Sequence, residues 1–546
     1  MARRTLSPLP ARSGAVLGRT GRVMVAGAVT GALLLAGCTG GSSTDASSGG
    51  GGNLTILVVK HPLTKPMAKM AWVKTLEKES GVKITWQEVS ADWDQKKSTL
   101  LAAGDLPDLM ISTNVITDSD LATYGSLFED LSKDMASLPN VKDMFAQVDG
   151  AKAMATQGNG AVYALPSWKQ YWPQAITRQY INKKWLDHLG LAMPTTWDEL
   201  YNVLLAFKTK DPNGNGNPND EIPLDWSPVG TGGYGYFQPT MLLGSLGMTV
   251  SGGGGTGYVV ENGKVVNFLA SDAWKQVIEF LAKCNAAGLI SKKVMTQDYS
   301  AYQSAGRGSG DAAAVGMSWG WTASDRFGAQ LAPQYASMPP LLASAGQSKP
   351  VTWGYDFENL SPNHVLLSAQ SKNKAAALKV INALCGQDLS IETLWGDFNT
   401  DVTKVDVKTY KVLPPADGKS DPSTWKWTET LADNAPGWIR NGLKVTLPTD
   451  LAEAVHQSVP LKAALANVDP GTDVYPPYIK MSADDLKTVA LNDTTILNLT
   501  QTKFAGWITN GGVDAQWADY VSQLDAAGLG ANVGIYQKYY DKAKKG

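Results

Sequence analysis

The sequence predicts an α/β fold in which a mainly parallel sheet is flanked by helices. Two observations carry that expectation. Short apolar, β-branched runs alternate with amphipathic stretches from residue 54 onward, and parallel strands need such crossover helices to join them. Length and composition agree: 546 residues, 43% hydrophobic and 18% charged, can bury the cores of about two to four domain-sized units.

Taken in order, Leu54 to Val59 is strand-like, Lys65 to Ser80 amphipathic, and Val82 to Val89 strand-like again. A helical stretch from Asp92 to Ala103 stops at Gly104, and Leu109-Met110-Ile111 reads as the next strand. In open α/β sheets ligands bind beyond the carboxyl ends of strands, which nominates His61 and Thr113-Asn114. Val162 to Pro166 reads as a further strand, followed by the aromatic cluster Trp168, Tyr171 and Trp172.

Thr196 and Glu199 form a capping box, and Trp197, Leu200, Val203, Leu204 and Phe207 repeat at helical spacing behind it. Tyr258 to Phe268 is a hairpin turning at Asn262-Gly263, and Asp272 to Cys284 is an amphipathic helix stopped by Gly288. Gly252 to Gly255 lacks the Lys and Ser/Thr of a phosphate loop and reads as a turn. Trp319 with Trp321, and Trp353 with Tyr355, form further aromatic groups. His364 to Leu367 reads as a strand, Lys374 to Leu384 as a helix ended by Gly386, and Trp395-Gly396-Asp397-Phe398 as a loop. Ser482 to Lys545 is mostly helical by pattern.

Asp211 to Glu221 is the stretch with the most specific chemistry. Asp211, Asn213 and Asn215 recur at every second position, Gly216 falls where a calcium loop turns sharply, and Asn217 falls where a backbone carbonyl is the usual ligand. The bidentate Glu of a standard loop is replaced by Ile222, leaving Asp220 and Glu221 as the remaining carboxylates. One structural Ca²⁺ is the expectation; a Gly/Pro/Asn surface turn that binds nothing is the alternative.

The amino terminus reads as an export signal: Arg3, Arg4, Arg12, Arg19 and Arg22, then an apolar run from Val23 to Leu35, closed by Leu35-Ala36-Gly37-Cys38. That ending resembles the lipobox of bacterial lipoproteins, which implies cleavage after residue 37, lipidation of Cys38 and anchoring at the extracytoplasmic face of the cell membrane. Residues 38–53 are nearly all Gly, Ser and Thr and read as a flexible tether. Arg3-Arg4 leaves the export route, general or twin-arginine, open.

Net charge is −2 with pI near 6.2, so there is no basic footprint for nucleic acid. Only four His and three Cys occur, against 18 Trp, which argues against a multi-ligand transition-metal centre. Cys284 and Cys385 are compatible with a disulfide or with buried free thiols.

A resemblance covers nearly all of the chain after Cys38. Gly104-Asp-Leu-Pro-Asp108, Tyr163-Ala-Leu-Pro166, Trp185-Leu-Asp-His-Leu-Gly-Leu191 with Pro194-Thr-Thr196, Asp211 to Pro223, Asn262-Gly-Lys264, Ala286-Ala-Gly-Leu-Ile290 and Trp517-Ala-Asp-Tyr520 occur in order. This sequence resembles the extracellular solute-binding lipoproteins of ABC importers, in the large oligosaccharide-binding branch that includes the alginate-binding proteins. The resemblance implies two lobes joined by hinge strands, residues 54–165 with 352–410 and residues 166–351 with 411–546. It further implies a monomer that closes on a carbohydrate and presents it to membrane permease subunits, with no enzymatic activity. The alginate-binding members hold one Ca²⁺ in a loop similar to Asp211–Glu221; here the extra Asn217-Pro218-Asn219 leaves the last ligands open.

Sugar faces stack on aromatic rings while polar groups read their hydroxyls. The expected ligand contacts are therefore His61, Asn114, Trp168, Trp172, Trp319, Trp321, Trp353, Trp395 and Asp397, with Tyr171 and Arg326 as further candidates. Trp185, Trp197 and Trp274 sit in helical patterns and are expected in the core, and His188, His364 and His456 are expected to be structural. Alternatives are a secreted glycoside hydrolase or lyase, which would need two carboxylates across a scissile bond, and a sugar- or peptide-sensing lipoprotein on the same fold.

Overall fold

In a computed structural model, residues 53–169, 173–217, 219–230, 233–308, 310–356, 360–416, 422–448 and 451–545 are described. The strands are, in chain order, β1 Asn53–Val59, β2 Lys83–Val89, β3 Leu109–Ile111, β4 Ala164–Trp168, β5 Arg178–Asn182, β6 Ile222–Leu224, β7 Tyr258–Glu261 and β8 Lys264–Asn267. They continue with β9 Val315–Gly320, β10 Tyr335–Ser337, β11 Leu360–Leu367, β12 Val402–Lys404, β13 Thr409–Val412 and β14 Lys444–Thr446.

Two sheets organise the chain. The first has the order β2-β1-β3-β11-β4 and the second β10-β5-β9-β6. β1 pairs parallel with β2 and β3, and β6 pairs parallel with β9, as crossover helices require. The antiparallel members β5 and β11 are the strands that arrive from the other sheet.

Each sheet has its own core. Leu54, Ile56, Leu109, Leu165, Val365, Ile381 and Trp395 pack in one, and Ile181, Leu204, Leu224, Ile278, Met317 and Phe504 in the other. The first core also holds Tyr410, Val412, Trp425, Trp438 and Leu451, and β12-β13-β14 forms a small sheet against it. The expected return of the chain at residue 411 therefore does not match the packing. Leu451 still belongs to the first core, and Leu461 is the next core side chain, in the second.

Local expectations resolve in physical detail. Only Ala71–Ser80 of the first amphipathic stretch is α-helical, behind a short 3-10 turn at Met67–Lys69 from which Met70, in extended backbone, separates it. The helix Trp93–Ala103 ends on Gly104 at φ 71°, and Asp272–Ala286 is capped by Ser271. Asn262 and Gly263 both take positive φ, 51° and 77°, as a tight hairpin turn between β7 and β8 demands. In the capping box, Thr196 Oγ1 accepts the Glu199 N–H, and the Glu199 carboxylate reaches back to accept the Thr195 N–H. The tail forms helices Ala483–Asn510, Val513–Ala526 and Leu529–Lys545. No helix among the described residues is long and apolar enough to cross a membrane.

The crossings position the site. β4 ends at Trp168, paired with Leu360 at the start of β11. β5 starts at Arg178, paired with Gly320 at the end of β9. The chain thus leaves the first sheet and enters the second at the carboxyl edges of both. The two crossing segments run side by side: Asp356 N–H donates to Gln174 O at 2.7 Å, Ile176 N–H to the Asp356 carboxylate at 3.2 Å, and Trp353 Nε1–H to Thr177 O at 2.8 Å.

Candidate functional site at the facing carboxyl edges

At the edge of the first sheet, His61 follows β1. Its Nδ1 accepts the Leu63 N–H at 3.2 Å, and its ring lies 4.7 Å from that of Trp427. Trp427 belongs to the helix Pro422–Glu429. That helix is tied across the edge by Thr64 Oγ1–H to Trp427 O at 2.7 Å and Lys65 N–H to Thr428 O at 3.1 Å, and by the Lys65–Glu429 ion pair.

After β3, Thr113 and Asn114 are exposed. Asn114 takes φ 47° and donates its N–H to Pro362 O at 3.1 Å. The acceptor lies in an irregularity of β11 between Ser361 and Val365, where Asn363 also takes positive φ. Such bulges re-aim a strand end, and this one turns Asn363 towards Asp118.

After β4, Trp168 is half-buried and Lys169 buried. Trp168 exchanges backbone hydrogen bonds with Gly437 and Ile439. Gly437 sits at φ 93°, and a Cβ there would lie 2.5 Å from Ser390 Oγ, so only glycine lets the segment turn so close to the sheet. Lys169 Nζ donates to Asp433 O at 3.0 Å, and the Thr113 hydroxyl donates to the same oxygen.

At the edge of the second sheet, Arg178 is fully buried. It donates to Ser458 Oγ at 2.8 Å, Ile176 O at 3.1 Å and Trp321 O, and its guanidinium lies 4.5 Å over the half-buried Trp321 ring. Ser227, Tyr236, Phe237, Gln238 and Tyr299 line a pocket of about 370 Å³ beside this edge. Beneath it, Arg326 and Asp225 form an ion pair of 2.8 Å with both side chains fully buried.

The structure brings His61, Asn114, Trp168 and Trp321 to these edges. Three other expected contacts belong to the cores instead. Trp319 lies in the central strand β9, whose two faces are both covered; Trp353 holds the crossing segments together; Trp395 ends the helix Gln387–Trp395. Their exposures are 0%, 1% and 0%, and a ring without accessible surface offers no platform to a sugar. Arg326 is likewise spent on Asp225. Asp397 is used structurally: its Oδ1 accepts the Trp72 N–H at 3.2 Å at the start of the helix Ala71–Ser80. Tyr171 and Trp172 lie outside the described residues, as does Cys38. Trp185, Trp197 and Trp274 are core residues as expected; His364 is buried, whereas His188 and His456 are exposed. Cys284 and Cys385 are free thiols in separate cores.

Sequence reasoning missed Trp427, Tyr236 and Asp433. Trp425-Lys426-Trp427 carried a visible aromatic signal. Asp433 had none, because what distinguishes it is assembled from β3, β4 and a helix far apart in the chain.

The model of the family described as bacterial extracellular solute-binding protein matches residues 62–388. The chain belongs to that family. A solute-binding protein of Bifidobacterium longum infantis, described as HMO-binding and ABC-transporter-associated, is 37% identical. Its structure superposes with TM-score 0.84, covering 90% of this chain and 99% of that one. The Streptococcus pneumoniae fructooligosaccharide ABC transporter substrate-binding protein FusA is 28% identical over 501 residues, 86% of each chain. The structure of FusA with kestose has TM-score 0.76 at 26% identity, covering 90% of this chain and 100% of that one. Another FusA structure is described as an EF-hand mutant. The alginate-binding protein AlgQ2, at 18% identity and TM-score 0.62 over 90% of this chain and 98% of that one, shares the fold.

In this solute-binding protein the loop Asp211–Glu221 precedes β6, whose first residue Ile222 pairs with Val315 at the start of β9. It therefore lies at the amino edge of the second sheet, opposite the strand ends described above. Asp211 takes φ 45° and accepts the Gly216 N–H at 2.9 Å; Asn213 and Asn215 accept the N–H groups of Asn215 and Asn217. Asp220 accepts both side-chain amides, at 3.2 and 2.7 Å. Pro218 lies outside the described residues. Both carboxylate oxygens of Glu221 and Oδ1 of Asp211 are buried without a hydrogen-bond partner. Burial, with Asp220 and Asp211 close by, pushes the Glu221 carboxyl up despite the neighbouring backbone amides. Among the described residues no three His, Cys, Asp or Glu side chains are gathered into a metal cage. The donors on offer are instead a mixture of carboxylate, amide and carbonyl oxygens, a hard-cation set.

A second acidic group lies at the first sheet's edge. Burial pushes Glu392 up to about 7 and Asp401 to about 6, and Asp401 accepts the Asp397 N–H at 2.9 Å. Glu392 and Asp401 are 4% and 5% exposed. Carboxyls this buried have no access to a glycosidic bond, so the pair required of a hydrolase is not found there.

Proposed function

We propose that this solute-binding protein captures a carbohydrate, an oligosaccharide, between the carboxyl edges of its two sheets and delivers it to the permease subunits of an ABC importer. The observation that carries the reading is topological. Among the described residues the crossings from β4 to β5 and from β10 to β11 both lie at those edges, so the strand ends that bind ligands in α/β folds border one space with a hinge at its base. The sugar ligands of FusA support the carbohydrate assignment.

In this reading lobe 1 comprises residues 54–165 and about 360–451, and lobe 2 residues 175–353 with 461 onward, following the two cores. His61, Asn114, Trp168, Trp427, Trp321 and Tyr236 are the ligand contacts. Trp172 keeps the role expected of it from sequence. Asp211, Asn213, Asn215, Asn217, Asp220 and Glu221 hold one structural Ca²⁺, a role supported by the three unpartnered carboxylate oxygens. Lipid on Cys38 anchors a monomer to the extracytoplasmic face of the membrane, and the protein carries out no catalysis.

Calorimetric titration with a panel of oligosaccharides tests the reading. Saturable binding with unchanged sugar recovered afterwards supports it; turnover of any sugar, or binding of none, overturns it.

A further inference from the structure

Residues 474–480 touch both cores. Tyr475 and Ile479 pack with Val260, Val265 and Tyr540 around the β7-β8 hairpin, and the Tyr475 ring lies 5.2 Å from that of Tyr536. Tyr478 packs instead against the first core. A Cβ at Gly150, which takes φ 80°, would stand 2.8 Å from the Tyr478 ring, so glycine lets the ring seat there. Leu360, the first residue of β11, borders the same seat.

Lys480 makes the polar half of this contact. Its Nζ lies 2.5 Å from Asp118 Oδ2, with side-chain exposures of 6% for Lys480 and 36% for Asp118. Asp118 opens the helix Asp118–Tyr124, and its other oxygen accepts Asn363 Nδ2–H at 3.1 Å. Asn363 belongs to the irregular stretch of β11 that also accepts the Asn114 N–H, at Pro362 O. The pair is therefore braced by the same backbone that holds a strand-end residue of the first sheet.

Burying an ammonium group is costly unless a carboxylate pairs with it. Arg326 and Asp225 offset that cost within the second lobe, whatever the lobes do. Lys480 and Asp118 belong to different lobes, so theirs is offset only while the lobes stay together. In the first sheet β3 lies beside β11, on the side of the crossing strands where His61 and Asn114 stand. Swinging the facing edges apart about those strands parts Lys480 from Asp118 and returns both charges to water.

Resting on the two-lobe reading, we infer that residues 474–480 form a clasp between the lobes and that the Asp118–Lys480 ion pair opposes their opening. Sugar affinity is then set in part by this contact, because a ligand that needs the lobes together binds in proportion to the fraction of protein already so arranged.

The test compares wild type with Asp118→Asn, Lys480→Met and the double variant. Small-angle scattering of the free protein reads lobe separation, calorimetric titration with kestose and with a neutral milk tetrasaccharide reads affinity, and urea unfolding checks folding. In Asp118→Asn, closure buries an unpaired ammonium group. Its radius of gyration should rise and its sugar affinity fall about tenfold or more. Lys480→Met leaves only a part-exposed carboxylate and should shift both readouts less, in the same direction. The double variant has no charge to bury and should return to within about threefold of wild-type affinity. Folded Asp118→Asn with wild-type dimensions and affinity overturns the inference, even if it unfolds at lower urea, and so does a double variant whose loss is the product of the single losses. If Asp118→Asn does not fold, wild-type dimensions and affinity in Lys480→Met overturn it. Wild type that binds neither sugar overturns the carbohydrate reading alone, and the scattering comparison still decides the clasp.

Discussion

The carboxylate of Asp397 accepts the backbone N–H of Trp72 at 3.2 Å, so the helix Ala71–Ser80 is capped by a residue 325 positions away in the chain. The local N-cap is Met70, whose side chain makes no capping hydrogen bond. Orphan N–H groups at a helix start need an acceptor, and Asp397 supplies it in trans. Asp397→Ala is therefore expected to cost about 1 kcal/mol of stability, typical of a lost cap. Sugar affinity should stay within about twofold, equivalent to about 0.4 kcal/mol. Urea unfolding and calorimetric titration measure the two separately, and a large loss of affinity would return Asp397 to the ligand site.

Arg326 and Asp225 form a fully buried ion pair, with further hydrogen bonds to Tyr302 O, Ser318 and Gln297. Removing one member strands the other charge in the core. Arg326→Met should destabilise by about 3–5 kcal/mol, visible as a shifted urea midpoint. Arg326→Met combined with Asp225→Asn should recover part of that loss; if it recovers none, the stranded charge is not the cause.

The pH dependence of stability follows from three buried carboxyls. Burial pushes Glu392 to about 7, and Asp401 and Asp356 to about 6, each above its unfolded value. A raised carboxyl means that the folded state holds protons the unfolded state has released. Stability is then greatest near the unfolded carboxyl range and falls as pH rises through about 6 to 7, at up to about 1.4 kcal/mol per pH unit per group. Denaturant melts of the metal-free protein should thus show more stability at pH 5 than at pH 7.5. Glu392→Gln should flatten the upper part of that slope. Below pH 4 the trend reverses as groups with lowered values, such as Asp485 at about 2, take up protons.

Calcium removal gives a fourth measurement. If the loop at the amino edge holds Ca²⁺, a chelator should lower the melting temperature, since an ion at a thousand times its Kd contributes about 4 kcal/mol. Glu221→Gln should abolish the chelator effect. If sugar binds at the carboxyl edge, its binding should persist in part, because the loop and that edge lie at opposite ends of the second sheet.

Cys284 and Cys385 are 0% and 1% exposed, and burial pushes both thiols to about 12. Neither should react with a thiol reagent in the native protein, and both should react after unfolding. Rapid labelling of native protein would contradict their burial.

Local chemistry was legible in the sequence wherever a feature depends on near neighbours. The hairpin turn at Asn262-Gly263, the helix end at Gly104 and the alternating oxygens of Asp211–Glu221 each need only a few adjacent residues to be recognised. The α/β class followed from alternating periods, and so did the nomination of His61 and Asn114, because strand ends are visible in one dimension. Which tryptophans reach the strand-end edges was not. Trp319, Trp353 and Trp395 look like Trp168 and Trp321 in sequence, and only packing decides that three are sealed in cores while two reach the edges. Asp433 is the clearest case. Its environment is built from Thr113, Lys169 and Lys426, brought together by two strand ends and a helix. Burial and charge pairing arise from contacts between distant segments, so the tertiary structure decided them, whereas the sequence by itself determined the elements and the loop chemistry.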